Sequence, residues 1–499
     1  MMLQIKVFLI LTLIFSAVFC LSSKPGAQIR LRTDALTSAA KSLIDEVNTL
    51  GNNVQVPDQS TKWHMLHLEI SQIFVKNLNI DRNQVSIVTG TDNSIGLQCN
   101  SLGVAISFHY KLKLGKHGPH KSGSCDASID GSSARIKLGI SEQNSHPLLN
   151  LIDKSANIND LNYHCQGGWI SKLLNLFKHA LKGFLKNEIK NFAEREIETL
   201  IPKITNKLLT IPIEHELHGK LAGTFVNYGL SSSPKLNNQM LNIPLIMQFW
   251  YQRHKNDNPA TVYPSPQSFP TSVPSQMFCV NIDSNLAGRS AVYAFNVSDK
   301  STFSIGDSIF KRLSKDKQQF FDCNCVSTRC LIKDIPDLAT KCLKNKKFGI
   351  HGNIKVGGDI YVNNSGIITF ADAIFDFKLG NGNGQETGPS LLTVKANLDL
   401  LLEKTVHIQN WNVFGKIDVL STSLSANFTS RPIDLHIING IWNFVMKEIV
   451  ESIANDGLAA GIPLPPLDFI TFKNVNLLFD SPIIQACSDV EFDFKKLLS

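Results

Sequence analysis

The stretch opened by Pro25-Gly26 and closed by Pro57 constrains the fold more than any other part of the chain, because it reads as one complete strand-then-helix unit between two backbone stops. Gln28-Ile29-Arg30-Leu31-Arg32 alternates polar and apolar residues, the period of a half-buried strand. Thr33 or Asp34 then offers a side-chain oxygen to the first free amides of a helix. Leu36, Ala40, Leu43, Val47 and Leu50 recur at three- and four-residue steps and so share one face. Gly51 supplies the helix stop, and Pro57 ends the unit. A purely aliphatic helix face of this kind must lie against something equally apolar.

Ahead of the unit, residues 1–23 combine Lys6, an apolar run and small residues toward Ser23, the pattern of a removable secretory signal. No later stretch sustains the roughly 18 apolar residues of a membrane helix, so the expectation is a soluble protein, secreted to the extracellular space. Pro259, Pro264, Pro266, Pro270 and Pro274 fall among Ser, Thr and Gln, a composition that favours extended polyproline geometry over packing. Read as a linker, this belt divides the chain into an N-terminal domain at 24–240, a central-sheet and linker segment at 241–276, and a C-terminal domain at 277–499. Two domains suit 499 residues. The apolar run 241–250 and the run 277–282 on the other side of the belt are expected to pair in a sheet between the halves.

After the linker the opening unit returns: a strand ending at Ile282, a polar cap at Asp283-Ser284-Asn285, then Leu286, Ser290, Tyr293 and Ala294 at helical spacing. Each half passes through alternating strands and closes on a long amphipathic helix, at 169–208 and 437–459. Alternation is clearest where Val104, Ile106, Phe108, Tyr110, Leu112 and Leu114 occupy one face and Ser107, His109, Lys111 and Lys113 the other. Similar alternation at 350–362 and 394–402 makes the fold class α+β, with large sheets and few helices.

The chain has ten cysteines, and Cys20 leaves with the signal, so nine remain. In an oxidising compartment four bridges and one spare thiol are expected, drawn from Cys125, Cys165, Cys279, Cys487, Cys323, Cys325, Cys330 and Cys342, with Cys99 as the spare. The 323–342 cluster has poor spacing for zinc, and export disfavours thiolate ligands, so structural disulfides are expected there and no metal. Asn296, Asn363 and Asn427 each open an Asn-x-Ser/Thr glycosylation triplet.

A net charge of +7 is mild over this length, so anion binding must come from local clusters. Lys111, Lys113, Lys116 and Lys121, with His109, His117 and His120, crowd one hairpin that contains no acid. Such a turn suits phosphate-bearing headgroups, or serves as a solvated hairpin that resists edge pairing. On the first long helix Lys178, Lys182, Lys186 and Lys190 form a stripe beside Trp169, Leu173, Leu176, Phe177, Leu181, Phe184 and Leu185, which reads either as a surface-active helix or as a core helix with a solvated flank. His64 and His67 near Glu69 make no catalytic constellation, and there is no Gly-x-Ser-x-Gly elbow or phosphate-cradling loop. An enzyme is not expected, and neither is a cofactor or nucleic-acid partner.

The outline Pro25-Gly26, three residues, Arg30, five residues, Leu36, then Val47 and Pro57, resembles the opening motif of the bactericidal permeability-increasing, lipopolysaccharide-binding and lipid transfer protein family. The ending Gly461-Ile462-Pro463-Leu464-Pro465 followed by 469–479 is similar to that family's last turn and final strand. The resemblance implies a boomerang of two half-barrels, each a curved antiparallel sheet wrapped on a long helix, joined by a central sheet. It implies a phospholipid in each half, against Leu36, Leu43, Val47, Leu50, Leu173, Phe177, Phe184, Leu286 and Tyr293. It also implies that Lys111, Lys113, Lys116, Lys121, Lys178 and Lys182 meet anionic headgroups. The family's usual bridge reaches a helix position near Lys190, where this chain has no cysteine, and a Cys125 to Cys165 bridge is expected to do a similar job. The implied function is binding of lipopolysaccharide and anionic phospholipid in antibacterial innate defence, with membrane-surface contact but no span. The alternative is a phospholipid or neutral-lipid carrier; an extracellular lipid hydrolase and an adhesion module are the readings outside lipid binding and transfer.

Overall fold

The computed structural model describes residues 25–50, 52, 54–63, 66–90, 92–115, 118, 120–159, 161–166, 178–218, 221–237, 239–254, 268–305, 315–319, 321–324, 330–342, 347–380, 388–403, 407–409, 412–427, 451, 455, 458–459, 461–463 and 470–493. Strand β1 (Ala27–Arg32) runs straight into helix α1 (Thr33–Leu50), as the alternation and the aliphatic spacing require. The Asp34 carboxylate accepts from the Ala35 amide at 3.0 Å and pairs with Arg32 at 2.8 Å, which holds the strand-to-helix corner.

The N-terminal sheet follows. It contains β2 (Val54–Val56), β3 (Gln59–Trp63), β4 (Leu66–Ile80), β5 (Val85–Thr89), β6 (Ser94–Leu114), β7 (His120–Gln143), β8 (His146–Asn157) and β9 (Leu161–Cys165). The main path is β2-β4-β6-β7-β8, with β3 added to β4, β5 to β6 and β9 to β7. Val104, Ile106, Phe108 and Tyr110 are buried and His109, Lys111 and Lys113 exposed, as the period-two pattern demands. Register shifts around Cys99, Leu102 and Val104 mark bulges, which let strands this long coil rather than run straight. Helix α2 (Lys178–Leu209) lies on β8: Ile201, Ile204 and Thr205 are buried, and the Thr205 hydroxyl donates to Leu149 O at 3.2 Å. The expected start of this helix at 169–177 lies outside the described residues.

Strands β10 (Glu214–Glu216), β11 (Thr224–Asn227), β12 (Lys235–Asn237), β13 (Met240–Leu245), β14 (Gln248–Tyr251) and β15 (Phe278–Asp283) lead to the junction. The single strand expected at 241–250 is two strands, because the chain breaks at Met247, whose φ is 48°. β14 joins β10 and β11 in a small sheet, while β13 enters the central one. The runs on either side of the linker do share a sheet, but they do not pair with each other. β1 lies between them, matched to β13 through Ile29 with Ile243 and to β15 through Ile29 with Val280. A Cβ on Gly26 would lie 2.6 Å from Ile246 O, so the tight entry of β1 beside β13 requires glycine.

The C-terminal part repeats the outline. β15 ends at Asp283, whose carboxylate accepts from the amides of Asn285 (2.8 Å) and Leu286 (3.3 Å), followed by a wide turn and helix α3 (Arg289–Val297). A five-stranded sheet is built from β16 (Thr302–Ile305), β17 (Lys347–Asn363), β18 (Gly366–Gly380) and β19 (Leu392–Glu403), which is followed by β20 (His407–Gln409) and β21 (Asn412–Phe414), and is completed by β22 (Ile417–Asn427). Its inner face packs Phe348, Ile350, Phe375, Phe377, Val394 and Leu398 into one core. The expected 437–459 helix falls mostly outside the described residues. At its described positions, Asn455 exchanges hydrogen bonds with both backbone groups of Ile417, and Glu451 accepts from the Val419 amide at 3.1 Å. β23 (Ile462–Pro463), β24 (Ile470–Asp480) and β25 (Ile483–Phe492) end the described chain, and the central sheet reads β12-β13-β1-β15-β25-β24. The architecture is α+β, sheet-rich with few helices.

Three disulfides are described: Cys125–Cys165 between β7 and β9, Cys279–Cys487 between β15 and β25, and Cys323–Cys342. Cys330 is also disulfide-bonded, Cys325 lies outside the described residues, and Cys99 is a buried free thiol. Replacing Cys279 and Cys487 together by Ala is expected to lower the unfolding free energy by up to about 5 kcal/mol, the chain-entropy value for so long a loop, read as a shift in the denaturant midpoint. Burial pushes the Cys99 thiol up to about 11. Iodoacetamide should therefore leave Cys99 unmodified in the folded protein at mildly alkaline pH and alkylate it on denaturation, followed by mass.

Candidate functional site

In an antiparallel pair, residues directly opposite share a face. At the free end of the β6–β7 hairpin Lys113 stands opposite His120 on one side and His67 of β4 on the other, so His67, Lys113 and His120 form one rank across three strands. Glu69, Lys111 and Ser122 form the next rank. Lys111, Lys113, His120 and Lys121 are exposed. The structure separates what the local sequence crowded together: Lys121 is matched to Leu112 and belongs to the opposite face from Lys111 and Lys113. Lys116, His117 and Pro119 lie outside the described residues.

The acid-free hairpin of the sequence gains an acid from its neighbour strand. Glu69 Oε2 lies 3.8 Å from Lys111 Nζ, and Glu69 Oε1 lies 3.6 Å from His67 Nδ1. An exposed pair at this distance contributes at most about 1 kcal/mol, so Lys111 remains available to a stronger anion. Lys113 makes no ion pair with any described residue.

The apolar layer beneath is built from Ile70, Val75, Val104, Ile106, Phe108, Tyr110, Ala127 and Ile129, with Leu68 and Tyr163 against them. Tyr110 occupies the space left by Gly123, its partner across the ladder, where a Cβ would come 2.7 Å from the phenol oxygen. The Tyr110 hydroxyl is buried with no hydrogen-bond partner among the described residues, and burial raises its pKa. Sequence reasoning placed Tyr110 in the apolar row without noticing that its oxygen would be stranded there. A bulky aromatic directly opposite a glycine on the next strand is the signal that could have found it, once the register is known.

Helix α1 contributes a second apolar surface. Ala40 and Ile44 are buried against Ile80, Val85 and Cys99, with Val47 partly buried in the same cluster. Leu36 and Leu43 are only half-buried, and the Leu50 side chain is outside the described set. The stripe that touches the sheet is thus turned slightly from the expected one, because Ser42 in the middle of the helix and Asn48 in its last turn are both tied to strands. The Ser42 hydroxyl donates to Phe492 O at 2.7 Å, and the Asn48 amide bonds both backbone groups of Ile80, at 2.8 and 3.0 Å.

On α2, Lys178, Lys182 and Phe184 fall within the helix, but their side chains are outside the described set, as are Leu173 and Phe177 altogether. Lys190 lies 3.9 Å from Glu194, and Lys154 of β8 lies 2.5 Å from Glu198, so this part of the helix faces its sheet with compensated charge. In the C-terminal part Leu286 is buried in the turn that follows β15, and Tyr293 is half-buried on α3, which packs on β14 and β17. Asn363 is exposed at the β17–β18 turn, and Asn427 ends β22. Asn296 is half-buried, and its amide bonds both backbone groups of Val356, at 2.7 and 2.9 Å, beside the β17 bulge. Among the described residues no three His, Cys, Asp or Glu side chains converge as metal ligands would.

Comparison with known proteins bears on the whole of this arrangement. Residues 222–492 match the family described as LBP / BPI / CETP, C-terminal domain. A protein named bactericidal permeability-increasing protein, from Sebastes schlegelii, is 22% identical over 506 residues, spanning 95% of this chain and 96% of that one. A crystal structure of lipopolysaccharide binding protein superposes with a TM-score of 0.60 at 16% identity, over 94% of this chain and 100% of that one. That likeness is one of fold. With more than half of its length matched by the family model, and sheet-rich halves meeting at a shared central sheet, the chain belongs to the LBP / BPI / CETP family.

Proposed function

We propose that this is an exported lipid-binding protein that holds acyl chains between α1, α2 and the apolar face of the N-terminal sheet, and docks phosphate-bearing amphiphiles at the basic end of β6 and β7. The observation that carries the reading is the coincidence of two surfaces on one pair of strands. Lys111 and Lys113 stand exposed on one face, while Phe108, Tyr110 and Leu112 line the other. An amphiphile has the same division between headgroup and tails. Half-buried Leu36 and Leu43, beside a fully packed Ala40 and Ile44, support a helix face only partly consumed by the protein's own core. The stranded Tyr110 hydroxyl supports a ligand that brings a carbonyl or hydroxyl partner.

Burying acyl chains is worth about 0.8 kcal/mol per methylene against water, about 20 kcal/mol gross for two long tails, but a bilayer offers nearly the same. Exchange between membrane and protein is then close to balanced and needs no fuel. A site in each half, with Leu286 and Tyr293 in the second, and two half-barrels set as a boomerang about the central sheet, are the remaining parts of this proposal. So are the domain limits at residues 240 and 277 and headgroup contact by Lys178 and Lys182. Antibacterial recognition of lipopolysaccharide is favoured over simple phospholipid carriage by the local excess of base at Lys111, Lys113, His120 and Lys121. Disulfides in both parts support export, and three sequons support a glycoprotein.

Organic extraction of the purified protein followed by mass analysis is expected to yield stoichiometric phospholipid; a lipid-free extract from correctly folded protein would overturn the pocket. Replacing Lys111, Lys113 and Lys121 together by Ala is expected to weaken endotoxin binding roughly 100-fold, at about 1 kcal/mol per surface cation, without changing lipid content. The same binding should fall steeply with added salt. If endotoxin binding proves indifferent to salt and to these lysines, while lipid content stands, the carrier reading replaces the defence reading.

A further inference from the structure

The C-terminal sheet carries a polar cleft on its outer face, in a different sheet from the basic end of β6–β7 and on the side away from the Phe375 core. Three strands set it in register: Ser304 of β16 is matched to His351 of β17, and His351 to Asp376 of β18. Ser304 Oγ lies 2.7 Å from His351 Nδ1. Two residues along, Thr302, Asn353 and Ile374 form the neighbouring rank. Together they line a cleft of about 560 Å³, within the range of about 300–1,000 Å³ typical of small-ligand sites.

Its chemistry excludes several ligands. Among the described residues no lysine or arginine lines it, which argues against an anion as its ligand. The described residues hold no three-ligand metal cluster. The row Ser304, His351 and Asp376 has the composition of a hydrolytic triad but not its wiring. Asp376 Oδ1 accepts from Ser390 (2.9 Å) and Thr393 (2.5 Å), and no Asp376–His351 hydrogen bond orients the imidazole. These contacts serve instead to fix the carboxylate and leave Asp376 Oδ2 with no donor among the described residues.

The unused groups point to a ligand. The half-buried Asn353 amide, which can both donate and accept, makes no hydrogen bond with any described residue, and stands one rank from the open Asp376 oxygen. Ile374, 42% exposed, ends the second rank beside Asp376 on β18, an apolar platform inside a polar cleft. A ring of vicinal hydroxyls carrying one C–H face satisfies all three: hydroxyl pairs for carboxylate and amide, and the C–H face for the isoleucine.

The geometry points to a binding site for neutral sugar residues in this cleft, independent of acyl chains and phosphates. On the opposite face of β16 the Phe303 ring fills the space above Gly352 and meets Phe375 edge-on, so that β16 is anchored to the core beneath Ser304.

Saturation-transfer NMR on the full glycosidase-treated protein tests this, with glucose, galactose, N-acetylglucosamine and maltotriose at millimolar concentration and inorganic phosphate in competition. Transfer to sugar ring protons is expected, with at least a severalfold loss in Asn353→Ala and in Ser304→Ala, and no competition by phosphate. Both substitutions are at surface positions, and thermal unfolding confirms that the variants fold. Lipid content and endotoxin binding should be unchanged in both, which separates failure here from failure of the lipid-binding reading. Lipid-free bacterial polysaccharide and a lipid-free host-type N-glycan then distinguish the source of the sugar by which gives the stronger transfer. No transfer to any sugar, transfer untouched by both substitutions, or competition by phosphate would each overturn the assignment.

Discussion

The antiparallel pairing of β1 with β15 is the constraint on which the rest depends. It is where the strand that opens the described chain and the strand that follows the proline belt share one ladder, and every strand of the central sheet is placed relative to it: β13 and β12 on one flank, β25 and β24 on the other. Each of the two strands then leads into a helix, α1 or α3, so the pairing also sets where each helix begins. Ala27, Ile29 and Leu31 put their apolar side into two buried clusters, with Leu230 and Leu245 at one end and Phe278, Ile470 and Val490 at the other. The β1 alternation is therefore a requirement of burial on one face, and slippage by one residue would turn that side outward.

Local pattern made much of this legible. The β1–α1 unit, the restart at Asp283, the long β6 alternation and the spare Cys99 all depend on neighbours close in sequence. Contacts across strands were not accessible in the same way. Glu69 is far in sequence from Lys111 yet stands opposite it, and a hairpin that looked free of acid is partly neutralised. Lys121 looked like one more member of a lysine cluster until the register put it on the Leu112 face. On α1 the aliphatic stripe was read correctly as apolar, but its rotation is decided by Ser42 and Asn48, whose partners lie on β25 and β4. The Ser304, His351 and Asp376 row matches no spacing motif, since only the folded sheet aligns it.

The two surfaces considered for ligands differ in how the protein supports them. The basic end of β6–β7 uses exposed cations on a hairpin, whose attraction is long-ranged, salt-sensitive and tolerant of geometry. The cleft on the C-terminal sheet uses fixed neutral dipoles and one tethered carboxylate, which act only at contact and reward an exact fit. If both proposals hold, steering and discrimination fall to different halves of one chain.

Arg30 is buried in the central sheet and donates through Nη2 to Ser272 O at 2.5 Å, while Arg32 donates to Pro274 O and Ser275 O. A guanidinium taken out of water needs such acceptors. The last part of the proline belt is consequently stitched onto the strand that began the fold. A protease cut upstream of Ser272 would divide the polypeptide into two pieces without letting them drift apart, so a nicked molecule should run as one particle on a sizing column and as two bands only after denaturation.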